Sequence, residues 1–140
     1  MPKVKDVCIS KLKGPKSEVK SINLIENLGV EGDFHAKGGE RQVSLLANES
    51  IDKMYEKGLK LQPGAFGENI VTEGIELISL SIGQKIRIGE TELEISKIGK
   101  ECLERCQIFY QTGDCIMPRE GVFAKVIKGG IIKLGDEIIL

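Results

Sequence analysis

The stretch QKIRIGETELEISKI, Gln84–Ile98, decides the fold class. Apolar and charged residues take turns on either side of Gly89-Glu90, so it reads as two strands joined by a tight turn. The C-terminal stretch GVFAKVIKGGIIKLGDEIIL, residues 121–140, reads the same way. It gives a strand at Val122–Ile127, a turn at Gly129-Gly130 and a last strand at Glu137–Leu140. Between the two runs a weak echo: LSIGQKIRIG and IKLGDEIIL share the form apolar, Gly, Gln or Asp, charged, Ile. In each, a glycine turn launches a strand, as closed β-barrels need repeatedly.

Working outward, the same rhythm continues. VKDVCISKL (Val4–Leu12) alternates as a strand, and Ser17–Asn27 reads as its partner across a turn at Gly14-Pro15. A glycine-rich loop then runs into a buried strand, Gln42–Leu46. One helix follows. Asn48 is its expected cap, since a short polar side chain accepts a first-turn amide. Ile51, Met54 and Tyr55 fall on one face, and Gly58 suits its end. LQPGAFGENIV leads by a loop into a short strand. The expected architecture is one mostly β, barrel-like domain over residues 1–140, with one or two short helices.

The bulk numbers agree with one domain. The chain has 140 residues with 17 glycines, 41% hydrophobic residues, 4% aromatic residues and no Trp, so the core must be aliphatic. Lys and Arg number 20 against 21 Asp and Glu, for a net charge of −1. That balance argues against a dedicated nucleic-acid binder but not against a local basic pocket for a small anion. The first residues, MPKVKDVCISKLKG, lack the apolar run of a signal peptide, and no window approaches a membrane span. The expected setting is a reducing cytoplasm, where clustered cysteines are metal-binding, reactive or buried rather than disulfide-bonded.

Three of the four cysteines lie in GKECLERCQIFYQTGDCIMPREG, residues 99–121. On a helical turn Cys102 and Cys106 would share a face. Lys100 and Arg105 stand nearby in sequence, and a neighbouring cation lowers a thiol pKa. Cys115 follows a glycine that permits the chain to turn back. Three readings stay open on the residues alone: small buried hydrophobes, a structural zinc site with His35 or Cys8 as fourth ligand, or one working thiolate with accessory neighbours. The loop GVEGDFHAKGGERQVSL mixes Asp33, His35, Lys37 and Arg41 with glycines. Its exposed amides could cradle an anion, yet neither the P-loop pattern nor the dinucleotide fingerprint is present. In PGAFGENI, Glu68 and Asn69 stand at the start of a strand, where they either orient a ligand or close the loop onto backbone.

Taken in order, GVEGDFHAKGGERQVSLL, PGAFGENI, SIGQKIRIGE, ISKIGKECLERCQI and GVFAKVIKGGIIKLGDEI resemble the MOSC domain, the family named after the C-terminal domain of molybdenum cofactor sulfurases. The resemblance covers nearly the whole chain from about Val4, and points to a small standalone bacterial-type member. It implies a β-barrel similar to the barrel domain of pyruvate kinase. It also implies binding of molybdenum cofactor (molybdopterin) and sulfur handling through a cysteine. In the amidoxime-reducing members a cysteine of this domain ligates molybdenum, within Arg-Cys, an apolar position and then Thr-Gly. Here Arg105-Cys106-Gln107-Ile108 and Thr112-Gly113 match, so Cys106 becomes the metal ligand or persulfide carrier, with Cys102 beside it. Arg41, Lys37 and Arg105 would hold the anionic phosphate and pterin edge, with Arg119 as a further candidate. His35, Asp33, Glu68 and Asn69 would shape the pocket. The chain has no space for the pyridoxal-phosphate desulfurase domain of the sulfurases or the N-terminal extension of the reductases. Sulfur would come from a partner such as a cysteine desulfurase, and the recipient would be a molybdoenzyme. Two further readings are a non-catalytic cofactor carrier or adaptor and a zinc-stabilised module.

Overall fold

The computed structural model describes residues 2–10, 17–33, 42–49, 51–52, 68–98 and 121–140. Eleven strands lie among them: β1 (Lys3–Ile9), β2 (Ser17–Val19), β3 (Ser21–Ile25), β4 (Gly29–Val30), β5 (Val43–Ala47), β6 (Ile70–Glu73), β7 (Lys85–Ile88), β8 (Thr91–Ile98), β9 (Val122–Lys128), β10 (Gly130–Lys133) and β11 (Ile138–Ile139). A single turn of 3-10 helix spans Leu77–Ser79, and helical backbone begins at Asn48. The expected cap is therefore already inside the helix, a shift of the size that helix boundaries commonly show. Met54, Tyr55 and Gly58 lie outside the described residues.

The strands form an eight-stranded sheet in the order β11-β7-β8-β9-β5-β6-β1-β2 and a three-stranded sheet in the order β10-β3-β4. The expected hairpin of Gln84–Ile98 is present, with Ile88 opposite Thr91 and Gly89-Glu90 between them. Gly89 has φ +57, as a two-residue turn with glycine first requires. The Thr91 hydroxyl donates to the Ile88 carbonyl at 2.7 Å and locks the turn. Among the described residues all strand pairs are antiparallel except β5–β6. A parallel pair needs a crossover, and the chain that includes the helical residues supplies it.

Two expectations change. Ser17–Asn27 is not one partner strand: β2 pairs with β1, whereas β3 enters the small sheet. Likewise β9 does not fold back on the segment after Gly129-Gly130; that segment is β10, which pairs with β3. Each corner carries the chain from one sheet to the other. The sheets do not close into a barrel. Among the described residues, β1, next to last in the large sheet, approaches its β11 end through one isolated bridge, Lys3 to Glu137, supported by Val4 N–H to Asp136 O at 2.9 Å and Gly135 N–H to Val4 O at 2.8 Å.

Between the sheets lies an aliphatic core. Ile22, Leu24, Val30 and Ile132 from the small sheet meet Val4, Val7, Leu45, Ile70, Ile86, Ile88, Leu93, Ile95 and Val126 from the large one. Full burial of each such side chain contributes roughly 1.5–3 kcal/mol. The pleat sends alternate residues to the other face. There Cys8, Leu46, Val71 and Phe123 are also buried but stand apart from that core.

Candidate functional site

Two polar residues, Ser44 and Asn69, come level with Cys8 and Phe123 on this second face. Cys8 of β1, Asn69 just before β6, Ser44 of β5 and Phe123 of β9 form a row, since Ser44 is registered against Phe123 and pairs with Asn69. Asn69 is fully buried and is the hub. Its Oδ1 accepts the Ser44 backbone N–H at 3.1 Å and the Ser44 hydroxyl at 3.1 Å. A backbone N–H can only meet an acceptor, which fixes the amide orientation. Its Nδ2 donates to the Cys8 carbonyl at 3.1 Å. The Asn69 backbone N–H donates to Ser44 Oγ at 3.0 Å and Ser44 O at 2.9 Å, while Cys8 N–H donates to the Asn69 carbonyl at 2.7 Å. One side chain thus ties three strands, leaving one amide N–H to give.

Asp33 and Glu68 flank this row in sequence. Asp33 is buried after β4, and its Oδ1 accepts the Ser10 N–H at 2.9 Å, tying the end of β1 to the small sheet. Glu68, immediately before Asn69, is fully buried. Gln42, at the foot of β5, accepts the Val126 N–H at 3.0 Å. Of the expected site residues, Asp33, Glu68 and Asn69 are therefore placed. His35, Lys37, Arg41, Cys102, Arg105 and Cys106 lie outside the described residues, as do Cys115 and Arg119.

A carboxyl pair sits on β1 and β2. Glu18 is registered opposite Cys8, two residues from Asp6. The Glu18 carboxyl is held above its usual range, first by a side-chain hydrogen bond with Asp6, then by that residue's like charge and slight desolvation; Lys5 opposes the shift. Lys5 Nζ lies 3.6 Å from Asp6 Oδ2.

Nothing local marks Ser44 or Ser10 for these roles, because their partners lie 25 and 23 residues away. Among the described residues, no three His, Cys, Asp or Glu side chains converge as a metal ion would need. Nor is any helix among them long and apolar enough to cross a membrane.

Fold and site together define a small, mostly β protein that fixes buried polar groups next in sequence to segments rich in glycine, cations and cysteine. The chain belongs to the MOSC domain family, whose model matches residues 31–139. Solved structures share the fold. The YuaD protein from Bacillus subtilis superposes with a TM-score of 0.80 at 19% identity, covering 99% of this chain and 94% of that one. YiiM from Geobacillus stearothermophilus gives 0.75 at 16% identity, over 100% of this chain and 75% of that one. YiiM from Escherichia coli gives 0.69 at 22% identity, over 100% and 69%. No curated protein matches the sequence.

Proposed function

We propose that this protein binds molybdenum cofactor and uses Cys106 to ligate the metal or carry a persulfide. The observation that supports it is the family match over residues 31–139, which takes in both the Asp33–Arg41 loop and the cysteine stretch. The family is associated with molybdenum cofactor binding in general. The donor chemistry suits that group: a soft thiolate fits molybdenum, and arginine forks fit a phosphate.

In this reading Arg41, Lys37 and Arg105 hold the anionic end, and Cys102 assists Cys106. The described residues act as the frame. Asn69 and Ser44 are nearly saturated by protein partners, so they orient the strands rather than grip a ligand. Asp33 and Glu68 set where the glycine loop leaves the small sheet and where β6 begins. When bound, the cofactor supplies a metal centre able to exchange sulfur or oxygen.

For sulfur carriage, the Cys106 thiolate attacks the outer sulfur of a persulfide on a cysteine desulfurase. The donor's S–S bond breaks as a new one forms on Cys106. The donor cysteine leaves as its thiolate, and no net oxidant is needed.

The test is elemental analysis and intact mass on protein purified without reductant from cells that make the cofactor. Molybdenum with pterin, or a thiol-removable gain of about 32 Da, is expected for wild type and absent from Cys106→Ser. A Ser variant that loads as well as wild type overturns the assignment.

A further inference from the structure

We propose that Lys97 is the cation that the sheet itself turns onto the second face to bind the phosphate of the cofactor; this rests on the cofactor-binding reading. Two β-bulges, on strands that flank that face, carry the argument. Along β8, Leu93, Ile95 and Lys97 fall at alternate positions, and Leu93 and Ile95 are core residues. Unbroken alternation would drive the Lys97 ammonium into the aliphatic core with them. Ile95, however, is registered with Ala124 and Lys97 with Phe123, so β8 carries one extra residue there, Ser96. The bulge reverses the alternation. Ile98 returns to the core side and packs on the cluster, while Lys97 comes out opposite Phe123 on the second face.

β1 does the same on the far side. Val4 is registered with Thr72 and Asp6 with Val71, so Lys5 is the extra residue. Without it Cys8 would follow Val4 into the core; with it Val7 takes the core position and Cys8 stays on the second face. Both bulges serve one level of the sheet. Phe123 is opposite Lys97 on one side and Ser44 on the other, and Ser44 and Cys8 both bond to Asn69. A bulge disrupts the ladder and recurs beside active sites, where it re-aims a side chain. The charge at 97 also differs from its neighbours. Further along β8, Glu94 is registered between Lys85 and Lys125, and Glu92 between Arg87 and Lys128. Lys97 faces an aromatic ring instead, two residues before Gly99, where the stretch bearing Cys106 starts. Its partial burial strengthens its pull on an anion relative to an exposed lysine, and an ammonium binds phosphate as a point charge.

Titration of the full chain with molybdenum cofactor released from a molybdoenzyme tests this, with bound pterin read by fluorescence and bound molybdenum by elemental analysis. Lys97→Met keeps the stem that covers Phe123 and drops the charge. It should fold with the wild-type Tm, bind pterin about tenfold more weakly, and lose less affinity than wild type as salt rises. Lys97→Arg keeps the charge and should bind within about threefold of wild type. If wild type takes up neither pterin nor molybdenum, the cofactor-binding reading falls and the role of Lys97 with it. If wild type loads and folded Lys97→Met matches it in affinity and salt dependence, the reading stands and Lys97 is refuted alone. An equal loss in Lys97→Met and Lys97→Arg would trace to packing on Phe123 and refute the phosphate role too.

Discussion

Asn69 shows how much one side chain can decide. Replacing it with Ala removes three buried hydrogen bonds, from the Ser44 N–H, from the Ser44 hydroxyl and to the Cys8 carbonyl. Each buried bond lost contributes about 1 kcal/mol, so Asn69→Ala should lose on the order of 3 kcal/mol. Asn69→Asp keeps the acceptor but puts a charge where the amide donated, and should be no better. Denaturant midpoints for both variants check this. A cost under about 0.5 kcal/mol would mean the clasp is decorative. Thr72 is the converse case. Its Oγ1 is buried with no partner, in a side chain registered between Val4 and Ala47. Thr72→Val removes an unpaired hydroxyl at nearly constant volume, so stability should hold or rise by about 1 kcal/mol. The sequence points to Asn69 as a position of interest because it follows Glu68 at a strand start. It cannot name Ser44 and Cys8 as the partners, since nothing local links residues 25 and 61 positions apart.

At the scale of strands and turns, legibility follows sequence distance. The β7–β8 hairpin is readable because its register is set by a two-residue glycine turn and by alternation alone. β10 is not, because its partner β3 lies about a hundred residues away and only packing chooses the pairing. The corner before β10 needs glycine for a reason the sequence does not state: a Cβ on Gly129 would stand 2.5 Å from the Leu24 carbonyl oxygen. Gly129→Ala must push backbone against backbone and should cost about 1–3 kcal/mol, read as a lowered Tm. The β1–β2 pair carries a pH dependence. Glu18 is raised by its hydrogen bond to Asp6, so the folded state holds that proton more tightly than the unfolded chain. The stabilisation is complete below the ordinary carboxylate range and fades as pH rises through the raised value. Glu18→Gln keeps a donor toward Asp6 and sheds the like charge. It should be more stable than wild type near neutrality, with the gap closing in acid. An equal gap at both pH values would show that the pair does not titrate as one.

Across the described residues, the two sheets share one aliphatic core, and the first strand meets the residues that lead into the last one. The mostly β class follows from composition and alternation; that the sheets stop short of a closed barrel does not, because closure turns on a single seam. That seam consists of the Lys3–Glu137 bridge and the amide bonds of Val4, Gly135 and Ile138, the last donating to the Pro2 carbonyl at 3.0 Å. Ile138 anchors it, being 3% exposed and registered against Ile88. Ile138→Ala should therefore cost about 2–4 kcal/mol as a core truncation. It should also act locally first. Hydrogen exchange at Val4, Gly135 and Ile138 should accelerate far more than at the central β8 and β9 amides, since seam opening leaves those ladders intact. If every amide accelerates by the same factor, the seam opens only with global unfolding, and the last strand belongs to the same cooperative unit as the sheet centre. If the seam amides lead, the N-terminal strand and the C-terminal strand form a separable latch. The clasps of Asn69 on Cys8 and of Asp33 on Ser10 hold β1 itself, so the frame of the cofactor-binding reading would then rest in part on the latch.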